Sequence, residues 1–144
     1  MNFRNLEPGG YLELQDNLFP LFCDDGTMSS DTPILVWTKD LMKAADIMER
    51  PLDTAVHFKS LLEKTGFEDV VEKKYKWPIN PWPDDHKLKE LGLWTYGCLD
   101  QGLEGLTMAL FRRGLHRSME ETTAICSKVR KDLGDINIHA YFSV

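Results

Sequence analysis

A Pro-Gly-Gly turn placed ahead of a short apolar run constrains this chain more than any other stretch. It reads Asn5-Leu6-Glu7-Pro8-Gly9-Gly10-Tyr11-Leu12-Glu13-Leu14-Gln15-Asp16. Pro8 fixes φ and lacks a donor, and Gly9-Gly10 can take the left-handed angles of a tight reversal. The run that follows predicts a strand over 10–16, with Asp16 at its carboxyl end. In open α/β sheets that end is where ligands bind.

The rest of the chain alternates between helical and strand periods. Residues 1–7 are expected to be the end of a helix, and 17–30 a loop that turns polar at Asp24-Asp25-Gly26-Thr27. Ser30-Asp31-Thr32-Pro33 supplies a cap and a first-turn proline. Ile34, Trp37, Leu41, Ala45 and Met48 then recur at helical spacing, predicting a helix over 33–49. A break at Arg50-Pro51 precedes a second helix with Phe58, Leu61 and Leu62 on its stripe, stopped by Gly66. Residues 67–79 return to period two, with Val71, Tyr75 and Trp77 on one face, and run into Trp77-Pro78-Ile79-Asn80-Pro81-Trp82-Pro83. Prolines stiffen that loop. Asp84 or Asp85 caps a third helical region, expected to bend near Gly102 because glycines disfavour a helix interior. Ser118 and Glu121 form a capping box for a last helix, which ends at Gly134. Ile136, Ile138, Ala140 and Phe142 alternate in a final strand.

These elements predict one α/β domain over 1–144, a length with room for a modest core. A net charge of −6 argues against a nucleic-acid partner, which needs clustered lysine and arginine. No run approaches the length of a membrane span, and there is no secretory leader pattern. Cys23, Cys98 and Cys126 are odd in number and lack metal-type spacing, so they are read as reduced thiols of an intracellular protein, cytoplasmic or nuclear. Cys126, on an apolar helix stripe, is assigned to the core.

Several segments stand in one order along 5–141: Leu-Glu-Pro-Gly-Gly-Tyr-Leu-Glu-Leu-Gln-Asp, Leu-Leu-Glu-Lys-Thr-Gly-Phe, Tyr-Lys-Trp-Pro-Ile-Asn-Pro-Trp-Pro, Leu-Lys-Glu-Leu-Gly, Gly-Leu-Glu-Gly-Leu and Asn-Ile-His-Ala-Tyr. Together they resemble the C-terminal half of the LaeA-like (TAM-type) fungal class I S-adenosylmethionine-dependent methyltransferases, associated with secondary metabolism. The resemblance implies a partial Rossmann-like methyltransferase fold. It would hold about three strands, the last antiparallel between the other two, and four to five helices. It also implies that the N-terminal cofactor-binding half is lacking. No Gly-x-Gly-x-x-Gly pattern follows a strand here, and such glycines are what let a backbone approach a nucleotide closely. No residue is therefore assigned to cofactor binding and none to a metal. S-adenosylmethionine is expected only if a partner supplies the missing half.

The same topology would gather Asp16, the 77–83 loop, Asn137 and His139 at one mouth. Asp16 and His139 are the candidate acid/base groups, with Glu104 a third, a carboxylate amid an apolar helix. The alternatives are a loop-capping Asp16, a hydrogen-bonded His139 on a sheet face, and a solvent-facing Glu104. Trp77, Asn80, Trp82, Trp94 and Asn137 are candidates for substrate contact, although aromatic residues also simply fill cores.

Three functions follow. One is a truncated methyltransferase-like protein of natural-product metabolism that acts on a small molecule and does not methylate alone. Another is a cofactor-independent cyclase or isomerase on the same scaffold. The last is a non-catalytic partner module of a full-length methyltransferase. An uncovered strand at 11–16 would need a partner, most simply a second copy in a homodimer, or else a methyltransferase-like chain.

Overall fold

Three amphipathic stripes assemble most of the core. The computed structural model describes residues 6–144. Helices α1 (Pro33–Ile47), α3 (His86–Gly114) and α4 (Met119–Leu133) pack on one another. Their facing stripes bury Trp37 and Leu41 of α1, Leu103 and Phe111 of α3, and Cys126, Val129 and Leu133 of α4. Trp37 can be wholly buried because its indole N–H donates to the Thr107 hydroxyl at 2.9 Å. Among the described residues, no buried side-chain nitrogen or oxygen lacks a partner.

The helix ends follow the sequence signals, with one addition. The Ser118–Glu121 capping box forms in both directions, at 2.8 and 3.1 Å. Thr32 stands at the cap of α1 with Pro33 behind it, but its side chain caps nothing. Asp132, in the last turn of α4, instead accepts from the Ile34 N–H at 2.9 Å. One helix therefore caps another.

The second layer is a small sheet of β1 (Leu18–Phe22), β2 (Lys76–Pro78) and β3 (Tyr141–Ser143). Its order is β1-β3-β2, with β3 antiparallel to both neighbours. α1 packs on β1 and α3 on β2. The protein is thus mixed α/β, with three strands, the last antiparallel between the other two, and four α-helices among the described residues. This agrees with a partial methyltransferase fold. The fourth helix, α2 (Phe58–Thr65), follows a 3-10 turn at Thr54–His57 and ends at Gly66, whose φ of +103° needs a glycine.

Four local expectations are corrected. The strand expected over 10–16 does not form, and the first paired strand is 18–22, inside the stretch read as a loop. The register explains this. Leu18 pairs with Ser143 and Phe22 with Tyr141, so β3 faces 18–22 and not 10–16. The turn ahead of it does form, with the Gly10 N–H donating to the Glu7 carbonyl at 2.9 Å and Gly9 at φ +85°. The helix end expected at 1–7 falls mostly on residues outside those described.

The second strand is shorter than expected. Tyr75 and Val144 exchange backbone hydrogen bonds at 2.7 and 2.9 Å, and the paired strand itself covers only Lys76–Pro78. Residues 67–75 are irregular, and Val71 is 75% exposed. The final strand is likewise paired only at 141–143, although Ile138, Ala140 and Phe142 are buried as the alternation implied.

Lastly, α3 runs 29 residues without a break at Gly102. A helical glycine costs about 1 kcal/mol against alanine. The packing of Leu103, Thr107 and Phe111 on α1 and α4 outweighs that. Two of its glycines have a positive use. A Cβ on Gly92 would stand 2.2 Å from the Asn80 carbonyl oxygen, and one on Gly114 would meet Ala44 at under 3 Å.

Candidate functional site

The carboxyl ends of β1 and β2 and the start of antiparallel β3 open on one edge of the sheet. β1 leaves that edge through Cys23-Asp24-Asp25-Gly26-Thr27. Gly26, at φ +78°, makes the reversal. Asp25 Oδ1 accepts from the Thr27 N–H at 3.1 Å and from the Thr27 hydroxyl at 2.8 Å, the local closure that aspartate favours in turns. The Cys23 thiol donates to the same oxygen at 3.2 Å. The loop is then fastened to β3, because the His139 N–H donates to Thr27 Oγ1 at 2.9 Å.

Two ionic groups result. Asp25 Oδ2 lies 2.5 Å from His139 Nδ1. The His139 ring and then the Thr27 donors hold the Asp25 carboxyl far below the usual carboxylate range. Beside it, Asp24 accepts from the Lys76 ammonium and, at 2.7 Å, from the Tyr141 hydroxyl. The Lys76 contact, then the Tyr141 one, lower the Asp24 pKa, and Asp24 in turn raises that of Lys76. Burial first, and then the bond to Asp24, raise the Tyr141 phenol. Lys76 also lies 4.8 Å from the centre of the Tyr141 ring, and Phe22 stacks on that ring at 5.9 Å.

The proline-rich loop supplies a wall. Trp82 stacks on His139 with centroids 4.7 Å apart and planes 20° apart. Its indole N–H donates to the Ala140 carbonyl at 3.0 Å. Asn80 braces the loop from below, wholly buried, accepting from the Trp82 N–H and donating to the Asp135 carbonyl. His139 Nε2 makes no hydrogen bond with any described residue, and the side chain is 34% exposed.

Of the residues singled out in the sequence, His139, Trp82 and Asn80 come together here, with Asn80 underneath. Asp16 does not join them. It stands before the amino end of β1 and accepts from the Asn17 N–H at 2.8 Å, the length of β1 away, about 17 Å at ~3.3 Å per residue. Asn137 caps its own turn, donating twice to Asp135. Glu104 is exposed on α3 and receives Arg130 of α4 at 3.4 Å, next to the closer Asp100–Arg130 pair at 2.7 Å. Trp77 is in β2 and partly exposed, and Trp94 stands 70% exposed on α3. Asp24, Asp25, Thr27, Lys76 and Tyr141 were not anticipated. The polar Asp-Asp-Gly-Thr turn was visible, and placing β1 eight residues later would have aimed it at His139.

Elsewhere, a shallow groove of about 580 Å³ lies between α1 and α4, with Val36, Ile125 and Ala124 among its lining residues. Its Arg117 is already paired with Asp40 at 2.7 Å. Among the described residues, no three His, Cys, Asp or Glu side chains are grouped to hold a metal ion. No helix there is long and apolar enough to cross a membrane.

Known proteins match the chain over nearly its whole length. It is 34% identical over 99% of its residues to the probable methyltransferase tdiE of Emericella nidulans, covering 45% of that protein. It is 30% identical over 97% to the methyltransferase pytC of Aspergillus terreus, covering 43% of it. It is 32% identical over 99% to the secondary metabolism regulator LAE1 of Cochliobolus heterostrophus, covering 47% of it. The chain thus spans a little under half the length of the curated relatives it matches. No family model matches it, and no solved structure does. Over nearly all its residues, the chain is similar to a segment of fungal methyltransferases and LaeA-type regulators of secondary metabolism.

Proposed function

We propose that this chain acts in secondary metabolism as the substrate-side portion of a methyltransferase of the LaeA-like kind, on a small molecule, and does not transfer methyl groups by itself. The similarity to methyltransferases and secondary-metabolism regulators supports the metabolic role. The observation that carries the small-molecule reading is the Asp25–His139–Trp82 cluster. It is a partly exposed acid/base pair against an aromatic wall, at the sheet edge where α/β proteins bind ligands. S-adenosylmethionine enters only with a partner, since no glycine-rich turn follows a strand in this sequence. The three cysteines form no disulfide, which fits an intracellular site of action, in cytoplasm or nucleus.

Deleting the gene in its host and comparing extracts by mass spectrometry tests the metabolic role. At least one small-molecule product should disappear or lose mass in units of a methyl group. An unchanged profile under conditions of expression would sink the reading. Calorimetry tests the second part: the isolated chain should not bind S-adenosylmethionine with micromolar affinity, and such binding would show that it carries its own cofactor site.

Residues 10–16, which pair with no strand of this chain, are where another chain is proposed to dock, either a second copy or a methyltransferase-like chain. Their backbone offers a ready row of donors and acceptors. Sedimentation should show the chain associating with itself or with such a partner. A stable monomer that captures neither would remove this part of the proposal.

A further inference from the structure

We propose that His139 is the proton acceptor for a neutral phenolic or enolic hydroxyl, and that Asp25, Thr27 and Trp82 are its positioning residues. The inference rests on the reading above, that this edge of the sheet holds a small-molecule acceptor.

The geometry fixes every degree of freedom that a base needs fixed. Asp25 takes Nδ1 at 2.5 Å, so the neutral imidazole carries its hydrogen there and keeps a lone pair at Nε2. Asp25 is itself held by three donors, two from Thr27 and one from Cys23. Trp82 covers one face of the ring, and Thr27 pins the backbone of the same residue. Nε2 is left without a partner among the described residues on a side chain 34% exposed. A buried structural histidine would show the reverse, with both nitrogens engaged.

Proton affinity and charge then select the acceptor. A free imidazole titrates near ~6.5 and a phenol near ~10, a gap that a positioned base can bridge. Simple alcohols, with acidities nearer that of water at ~15.7, lie too far away. The charged groups facing the site are Asp25 and Asp24, with Lys76 offsetting the latter. With His139 neutral the neighbourhood is net negative, which disfavours carboxylate and phosphate compounds. When the hydroxyl O–H breaks, its proton goes to Nε2 and its electron pair stays on oxygen. The imidazolium is then balanced by Asp25 while negative charge develops on the oxygen a hydrogen bond away. In a methyl transfer, that pair forms the O–CH₃ bond to a sulfonium methyl donor, and the broken S–CH₃ pair returns to sulfur. The donor comes from the partner portion, and the proton leaves His139 to water.

The test uses 4-nitrophenol, which turns yellow on ionising, and 4-nitroanisole, which has the same ring and no proton. At a pH where free 4-nitrophenol is mostly protonated, the chain should ionise the bound compound, and 4-nitroanisole should show no such change. His139→Gln should abolish the yellow species with the circular dichroism unchanged. Asp25→Asn should reduce it at least tenfold and move the His139 ring, followed by nitrogen NMR, away from the Nδ1–H tautomer. Asp25→Glu should restore part of both. Ionisation that survives in His139→Gln, or a His139 tautomer unchanged in Asp25→Asn, overturns the proposal. Benzylamine bound where 4-nitrophenol is not would make this a cation site and overturn it equally. Should the metabolite profile be unchanged while 4-nitrophenol still ionises on His139, the functional reading falls and the proton acceptor stands. The converse removes His139 and leaves the functional reading in place.

Discussion

The two ends of the sheet are built on opposite terms. At the carboxyl edge, side chains from four separate stretches close on one another: Asp25 on His139, Thr27 on the His139 backbone, Asp24 on Lys76 and Tyr141, and Trp82 on His139. At the amino edge, residues 10–16 carry Tyr11 at 96% exposure, with Leu12 and Leu14 above one-third, and form no ladder. The chemistry of the residues is not what separates the two ends, since Tyr11-Leu12-Glu13-Leu14 is the better strand sequence. What separates them is whether a neighbour exists. β3 pairs with 18–22, and no strand among the described residues pairs with 10–16, so intrinsic preference is satisfied at one and stranded at the other.

The closed end stands on the helical layer, and removing the centre of that layer is the largest expected effect. Trp37→Ala empties the space between α1 and α3 and orphans the Thr107 hydroxyl contact. Losses of this kind run about 3–5 kcal/mol. Urea denaturation should show the midpoint falling steeply or the chain failing to fold. A midpoint within experimental error of the parent would mean that α1 and α3 are not packed as described.

Gly92→Ala breaks the closed end more selectively. The added methyl would stand 2.2 Å from the Asn80 carbonyl, on the loop that carries Trp82. Overpacking costs about 1–3 kcal/mol. The readout that matters is local: the ring-current shift of His139 should diminish as the loop moves and Trp82 leaves the imidazole. Gly97→Ala, where a Cβ meets nothing within 4 Å, should do neither and should stabilise the helix slightly.

How much of this was legible beforehand depends on how local the signal is. The helix ends at Asp85, Ser118 and Gly66 were written in capping chemistry, which acts within four residues, and the start of α1 in its first-turn proline. The position of the last strand between the other two came with the resemblance. The failures all needed knowledge of a distant partner. Whether 10–16 or 18–22 pairs is decided by which of them faces Tyr141–Ser143, at the other end of the sequence and invisible to period counting. That error moved the carboxyl edge by one strand length, so Asp16 was chosen where Asp25 belongs. His139 and Trp82 were found because their segments abut the edge in either register. The unbroken α3 was missed because glycine preference was weighed without the packing that overrides it.

Asp132 offers a finer probe of the closed layer. Burial raises its pKa, and the Ile34 N–H bond only partly offsets that. A raised carboxyl pKa means a contribution that is full below the unfolded value and lost as pH rises through the folded one, so the ionised form is the strained one. Asp132→Asn retains an accepting oxygen for the α1 terminus and discards the charge, and it should be close to neutral at pH 7. Asp132→Ala loses the cap and should cost about 1 kcal/mol. Equal losses in both variants would show that the charge itself matters, contrary to the burial argument.

The smallest effect belongs to the open end, and its smallness is the point. Tyr11 is almost wholly exposed and pairs with nothing, so Tyr11→Ser removes neither buried area nor a backbone bond from the isolated chain. Surface changes of that kind stay within about 0.5 kcal/mol. Association is a different matter. A strand that docks on 10–16 would meet Tyr11 and Glu13 on one face and Leu12 and Leu14 on the other, because side chains alternate along an extended backbone. Cross-strand pairs of this sort contribute about 0.2–1 kcal/mol each. Tyr11→Ser should therefore leave the denaturation midpoint in place and weaken any self-association or partner capture several-fold. A Pro at Leu14 should abolish the capture while sparing the fold, since it deletes a backbone donor from an edge that the fold itself does not use. A large drop in stability from either change would mean that residues 10–16 are tied into this chain's own structure, and the contrast between the two ends of the sheet would collapse.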